Sequence, residues 1–308
     1  MWDAVAVSDS PEPDTRERRA TTTEEGQRRN LERPALPDAL PRPVVDSHCH
    51  LDVADGKSNL SPGEAITLAA SVGVTRIVQV GCDVAGSTWA VRAAERWPSV
   101  VASVAIHPND AARLGPGLDA GLAEIDALAG HPQVRAVGES GLDYFRTKDA
   151  DGQAVQKTAF AAHIAMAKAH DRTLVIHDRD AHADILDVLD AEGAPERIVM
   201  HCFSGDADFA RACLDRGAHL SFAGTVTFKN ADPLREAVRV TPIDRILTET
   251  DAPYLTPMPY RGRPNASYLI PHTARLLAEV LGVALIDLCA ALNANSDAAF
   301  GGPWPAAA

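Results

Sequence analysis

Short β-branched or apolar runs alternate with amphipathic stretches along almost the whole chain, and that alternation restricts the fold more than any other feature. Candidate strands end near Asp46–His50 (after Val44-Val45), at Val80 (Arg76–Val80), Ile106 (Val100–Ile106) and Gly138 (Val134–Val137). Further ones end at Ile176 (Leu174–Ile176), Met200 (Ile198–Met200), Phe222 (His219–Phe222) and Leu247 (Ile243–Leu247). Helical stretches lie between them at Ser61–Val72, Gly86–Trp97, Gln153–His170 and Asp206–Arg216. Ser61-Pro62-Gly63-Glu64 has the order of a helix start, with a Ser cap, Pro in the first helical position and Glu three residues on. Phe160, Ile164 and Ala167 recur at helical spacing and predict one buried stripe.

Eight strand–helix repeats predict a parallel sheet, and eight that close on themselves predict a (β/α)8 TIM barrel. A doubly wound open sheet would carry a Gly-rich phosphate fingerprint after its first strand. Here that strand is followed by His48-Cys49-His50-Leu51-Asp52. A barrel needs roughly 250 residues, and the chain has 308, of which 46% are hydrophobic. Residues 1–42, rich in Pro, Glu, Arg, Thr and Asp and poor in aromatics, are expected to be a disordered tail. Residues 43–300 are expected to form the single barrel domain and 301–308 a C-terminal tail.

No apolar run approaches the ~18–20 residues of a membrane span. Arg18-Arg19 lacks the apolar region of a secretory signal. The five cysteines are scattered and never in a C-x-x-C pair, which suits reduced thiols and a cytoplasmic location. A net charge of −13 argues against a general DNA-coating surface. It leaves room for a local basic pocket, or for bound cations inside one cleft.

Potential metal ligands fall at the carboxyl ends of the predicted strands. His48 and His50 end the first, Glu139 follows the fourth, His177 the fifth, His201 the sixth and Asp251 the eighth. Barrel enzymes build their active sites on that face. Taken singly, each has a structural explanation: a rim histidine, a loop-capping Glu139, an Asx-turn Asp251 before Pro253. Taken together they would leave several partly buried charges uncompensated unless a cation joined them. His107, ending the third strand on the same rim, is read as a substrate or phosphate contact. His131, His163, His170, His182, His219 and His272 lie in helices, linkers or strand starts. Strand alternation turns Cys49 and Cys202 away from the rim, as small core residues.

The ordered segments Asp46–Asp52, Ile106-His107-Pro108, Gly138–Tyr144, Val175-Ile176-His177, His201–Gly205 and Glu249–Leu255 together resemble the TatD family of metal-dependent deoxyribonucleases, in the amidohydrolase superfamily. The resemblance runs from about residue 44 to 300. It implies a (β/α)8 barrel with two divalent ions, His48, His50 and Asp251 on the first, His177 and His201 on the second, Glu139 bridging. It implies hydrolysis of DNA phosphodiesters, commonly from a 3′ end of a single strand. The chain departs from the family pattern at His163, where Gln is common, and at Arg263-Pro264-Asn265-Ala266, where Arg-Asn-Glu-Pro is common.

In this scheme Glu139 and Asp251 are the catalytic carboxylates, Asp251 taking the proton of the attacking water. Arg179, Lys229 and Arg261 are candidate phosphate contacts, and Tyr144, Phe203 and Tyr260 candidate base-stacking groups. Four imidazoles and two carboxylates suit Zn, Mn, Fe, Co or Ni better than Mg, although the family is associated with Mg. The rival substrate is a small ester, lactone, amide or aminoacyl ester on the same site. A barrel that had kept its shape and lost its chemistry would be a binding module, but none of the six ligand positions is missing.

Overall fold

The computed structural model describes residues 14–18, 22, 28–57 and 60–307. Eight parallel strands lie side by side in chain order: β1 (Val44–Cys49), β2 (Val74–Val80), β3 (Val100–Val104), β4 (Val134–Asp143), β5 (Thr173–Arg179), β6 (Ile198–Met200), β7 (His219–Phe222) and β8 (Ile246–Thr248). The helices between them are α1 (Pro62–Ser71), α2 (Val84–Arg96), α3 (Pro108–Leu114), α4 (Leu118–Ala129), α5 (Ala150–Ala169), α6 (His182–Glu192), α7 (Ala207–Leu214) and α8 (Asp232–Val240). Two more, α9 (Ile270–Leu281) and α10 (Leu285–Ala299), end the domain. This is the expected TIM barrel. Ser61 and Glu64 cap α1 reciprocally, as their spacing predicts.

The pleat sorts the strand residues into two cores. Val45, Val78, Val80, Val101, Ala136, Val175, Val199 and Leu247 form one cluster with Phe300 and Trp304. Their neighbours Val44, Ile77, Val100, Val137, Leu174, Ile198 and Ile246 join the larger cluster that includes the helices. The C-terminal segment is therefore packed against the barrel. Trp304 donates from Nε1 to Ser99 O at 3.0 Å and lies under the Arg76 guanidinium, and Ala307 N bonds to Thr75 O.

β1 and β8 close the ring through side chains and loop backbone. The buried Asp46 accepts from Thr250 N at 2.9 Å and Thr250 Oγ1 at 2.5 Å. Ser47 Oγ donates to Thr248 O at 3.0 Å, Asp251 N to His48 O at 2.9 Å and His50 N to Ala252 O at 2.8 Å.

The described part of the expected disordered tail is ordered against the domain. Leu40 is buried, the Tyr268 hydroxyl donates to Pro34 O at 2.8 Å, and Arg263 and Arg275 donate to the carbonyls of Glu32 and Asp38. Arg29 makes a buried bidentate pair with Asp55. Low hydrophobicity argues for disorder when a segment must stabilise itself by apolar burial. This one is held by charge pairs and by arginines that satisfy its carbonyls. The remainder of that expectation lies outside the described residues. Among the described residues, no single helix is long and apolar enough to cross a membrane.

His163 sits on the buried stripe of α5, its Nδ1 donating to Ala159 O at 2.6 Å and its Nε2 accepting from Ile106 N at 3.1 Å. Both nitrogens are committed with the ring neutral, and burial pushes its pKa down from 6.5 to about 4. The unfolded chain therefore binds the extra proton first. Stability is fully present above pH 6.5 and is lost as pH falls toward 4, by as much as roughly 3 kcal/mol. We expect His163→Gln to flatten this acid limb of the melting temperature. An unchanged pH profile in the variant would contradict the assignment.

Candidate metal centre

At the carboxyl mouth the barrel brings all six candidate ligands together. Glu139 stands in the middle, and its two oxygens face different partners. Oε2 lies 3.4 Å from His48 Nε2 and 4.0 Å from His50 Nε2. Oε1 lies 2.6 Å from His177 Nδ1, 3.2 Å from His201 Nε2 and 3.3 Å from His107 Nε2. Asp251 joins the Oε2 side, its Oδ1 3.4 Å from His50 Nε2 and 3.8 Å from His48 Nε2. Three groups have ligand atoms mutually close enough for one ion: His48, His50 and Glu139; His48, His201 and Asp251; and His107, Glu139 and His177.

Backbone geometry explains why Glu139 can occupy the centre. The sequence predicts it just past the fourth strand; instead β4 runs on to Asp143, with a register shift between Val137 and Ser140. Gly138 has φ +152°, and a Cβ there would stand 2.3 Å from Val175 O. Only glycine lets the strand bulge this tightly against β5. His177 likewise lies within β5 rather than after it.

The ring tautomers are set by partners behind the site. His50 Nδ1 contacts Val80 O at 3.0 Å, so Nε2 carries the lone pair toward the carboxylates. The fully buried Glu249 places Oε1 2.8 Å from His201 Nδ1 and accepts from Cys202 N at 2.9 Å. His107 Nδ1 accepts from Asn109 N at 3.1 Å, capping α3, so the neutral ring carries its proton on Nε2. His107 is therefore a donor toward Glu139, which distinguishes it from the rings whose Nε2 is free to bind. Asp143 sits 3.4 Å from His177 Nε2 and is itself held by Asn109 Nδ2 at 2.8 Å.

Charge is concentrated here. Burial pushes Glu139 up, yet the imidazoles of His201, His107 and His177 outweigh it and hold the carboxyl well below its usual range. Burial also opposes ionisation of Asp251, but His50, His201 and His48 hold it down. Burial would lower His177 and His201; Asp143 and Glu139 raise the first to about 9, and Glu249 and Glu139 raise the second well above its ordinary value. His48 is pushed down by burial and by His201. Among the described residues both its ring nitrogens are buried without a hydrogen-bond partner. A buried, unpartnered imidazole facing two ionised carboxylates fits a divalent cation, which would replace the protons shared among these groups.

Sequence reasoning missed several neighbours. Cys82 follows β2 and sets Sγ 3.9 Å from Glu139 Oε2 and from His50 Nδ1. Burial pushes its thiol up to about 11. Glu249 and Asp143 lie inside motifs read from the sequence, but their role depends on ring orientation, which spacing does not encode. Cys202 is a correction. Strand β6 ends at Met200, and Cys202 has φ +44°, so the alternation that would turn it into the core no longer applies. It is half-buried, and the charges of Glu249, Asp251 and Glu139 reinforce burial in raising its thiol. Cys49 is fully buried in the outer core, as expected.

The proposed substrate contacts divide. Phe203 is buried, stacked on Phe209 and edge-on to Phe222, so it is a core residue and not a base-stacking platform. The Tyr144 hydroxyl donates to Asp184 at 2.5 Å, away from the centre. Its neighbour Phe145 is the exposed ring, and the Arg179 guanidinium lies 3.8 Å from that ring's centroid. Arg261 stacks similarly on Phe228 at 4.5 Å, Lys229 is exposed on the loop after β7, and Tyr260 is half-buried edge-on to His272.

A parallel barrel whose mouth gathers imidazoles around shared carboxylates defines a class, the metal-dependent hydrolases. A family profile described as TatD related DNase matches residues 45–301. The chain is 44% identical over 264 residues to the uncharacterized metal-dependent hydrolase TatD of Mycobacterium tuberculosis, covering 85% of this chain and 99% of that one. It is 37% identical over 259 residues to the uncharacterized metal-dependent hydrolase YabD of Bacillus subtilis, covering 83% and 98%. Among solved structures, the TatD homolog YjjV of Escherichia coli is similar with a TM-score of 0.76 at 25% identity, covering 84% of this chain and 98% of that one. The chain belongs to the TatD family of metal-dependent hydrolases.

Neutralising the Glu249 carboxylate beside His201 Nδ1 tests the site without touching a candidate ligand. We expect Glu249→Gln to weaken divalent-ion retention by about 10–100-fold while the fold persists. A metal titration followed by calorimetry reads this directly, and wild-type affinity would show that Glu249 does not orient the ring.

Proposed function

We propose that the protein hydrolyses DNA phosphodiesters, acting as a 3′-to-5′ exonuclease on single-stranded ends, with two divalent ions at the mouth. The observation that carries this reading is the division of Glu139: one oxygen faces His48 and His50, the other His177 and His201. In this reading His48, His50 and Asp251 would hold one ion and His177 and His201 the other, with Glu139 available to both. Zn and Mn suit the imidazole-rich set. Ions held there would supply Lewis acidity toward the phosphoryl oxygens and toward a bound water.

The chain's own residues do the rest. Asp251, ionised and 14% exposed at its side chain, is the base that takes the proton of the attacking water. His107, with its proton on Nε2, donates to an anionic oxygen as negative charge develops. Arg179 and Arg261, spread over Phe145 and Phe228, present guanidinium planes that bind phosphate and stack on bases. These local cations let a chain of net charge −13 receive an anionic strand at one place.

End-labelled single-stranded DNA and a panel of small esters, each assayed with Zn, Mn or Mg and after chelation, test the proposal. DNA should be shortened from its 3′ end only with metal present. Ester turnover without DNA cleavage would instead assign a carbonyl substrate. Glu139→Ala and Asp251→Asn should each lower turnover by at least about 10²–10³-fold with the circular-dichroism spectrum intact; wild-type turnover in either would refute the assigned roles.

A further inference from the structure

The segment Asp14–Arg18 lies outside the matched family region, yet it is stitched to the mouth of the barrel. Arg16–Glu17 pairs as a short parallel strand with Val53–Ala54, in the loop that follows the ligand-bearing β1. Arg16 N donates to Asp52 O at 2.6 Å and Arg18 N to Ala54 O at 2.8 Å. The Arg16 guanidinium spans Asp52 at 2.5 Å and Asp83 at 3.1 Å, and Trp89 Nε1 donates to Asp14 O at 2.7 Å. These contacts fix where the next side chain lands.

Arg18 lands over Tyr254. Its Cζ is 4.5 Å from the ring centroid, and Nη1 donates to Pro253 O at 3.0 Å. Tyr254 is exposed on its outer side and meets His50 edge-on at 6.1 Å between centroids. Arg18 is thus two contacts from the metal centre. Its charge is incompletely balanced. Among the described residues, Asp55 at 3.4 Å is the one carboxylate within ion-pair distance, and Arg29 already holds Asp55 through both oxygens. One carboxylate shared by two guanidiniums leaves surplus positive charge beside a partly exposed aromatic ring.

We propose that Arg18 is a further substrate-binding residue, a guanidinium delivered from outside the barrel that takes an anionic oxygen of the substrate next to the scissile linkage. Stacked on Tyr254, it also matches the arrangement of Arg179 on Phe145 and Arg261 on Phe228, so three arginine–aromatic stacks border the mouth. The class of ligand is a nucleic-acid strand end with at least two phosphates. This inference rests on the phosphodiesterase reading above for its substrate.

Arg18→Gln, Arg18→Lys and the distant control Arg239→Gln, each in the full chain, test it. Two measurements are made: steady-state hydrolysis of a labelled oligonucleotide, and anisotropy of a fluorescent oligonucleotide with Ca²⁺ present. Arg18→Gln should raise KM and weaken binding by about five- to tenfold, the strength of a partly exposed charge-assisted contact, with kcat within about twofold. The salt dependence of binding should lose about 0.7 from its logarithmic slope, Arg18→Lys should restore that slope, and Arg239→Gln should change neither quantity. Unchanged affinity and slope in Arg18→Gln, or tighter binding as expected if the segment obstructs the mouth, would overturn the proposal. Absence of DNA cleavage by wild-type protein defeats the phosphodiesterase reading alone; Arg18 is then judged by the anisotropy, where an oligonucleotide that does not bind overturns it as well.

Discussion

A buried carboxylate, Asp46, joins the first strand to the segment after the last, and the rest of the site depends on that join. It accepts from the amide and hydroxyl of Thr250, while Ser47 reaches Thr248 O. β1 and β8 are not adjacent in the hydrogen-bonded strand order, so side chains supply much of what the ladder supplies elsewhere. The seam lies directly below His48, His50 and Asp251. Closing the ring and assembling one side of the centre are therefore a single event, and a gap at the seam would separate the histidines from the aspartate. Polar groups deep in a protein are costly unless satisfied, and here that cost specifies which strand ends meet.

Much of the architecture was legible in the residues because period and position suffice for it. Apolar runs give strands, the Ser61–Glu64 box gives the start of α1, and placing His48, His50, His201 and Asp251 near strand ends gives the mouth. What was not legible depends on departures from regularity. Glu139 lies inside β4 because two-residue alternation fails at the Gly138 bulge. Cys202 leaves the core because its backbone turns left-handed once β6 has ended. Phe203 belongs to an aromatic cluster with Phe209 and Phe222, which come from different elements of the chain. Glu249 and Cys82 touch the centre from behind or beside it, and their contribution depends on ring orientation and loop path. The arginines of the N-terminal segment look like solvated charge in a polar stretch; their carboxylate partners Asp52, Asp55 and Asp83 lie tens of residues away.

Charge is managed at two scales. The chain as a whole is strongly acidic, which repels polyanions at a distance. Close to the centre cationic and cation-binding groups gather, with imidazoles around Glu139 and guanidiniums laid on the rings of Tyr254, Phe145 and Phe228. An aromatic face holds a guanidinium in place while leaving its edge able to bind. Lysine, a point charge without a plane, would not hold the same orientation.

Trp304 and Phe300 have a consequence for traffic through the molecule. They pack into the apolar inner cluster of the strands, and the Trp304 indole is anchored to Ser99 O at the start of β3, opposite the metal-facing end. The cylinder is thus stoppered at its base. Whatever enters at the opposite rim must leave by the same opening, so arrival of fresh substrate and departure of product compete for one doorway.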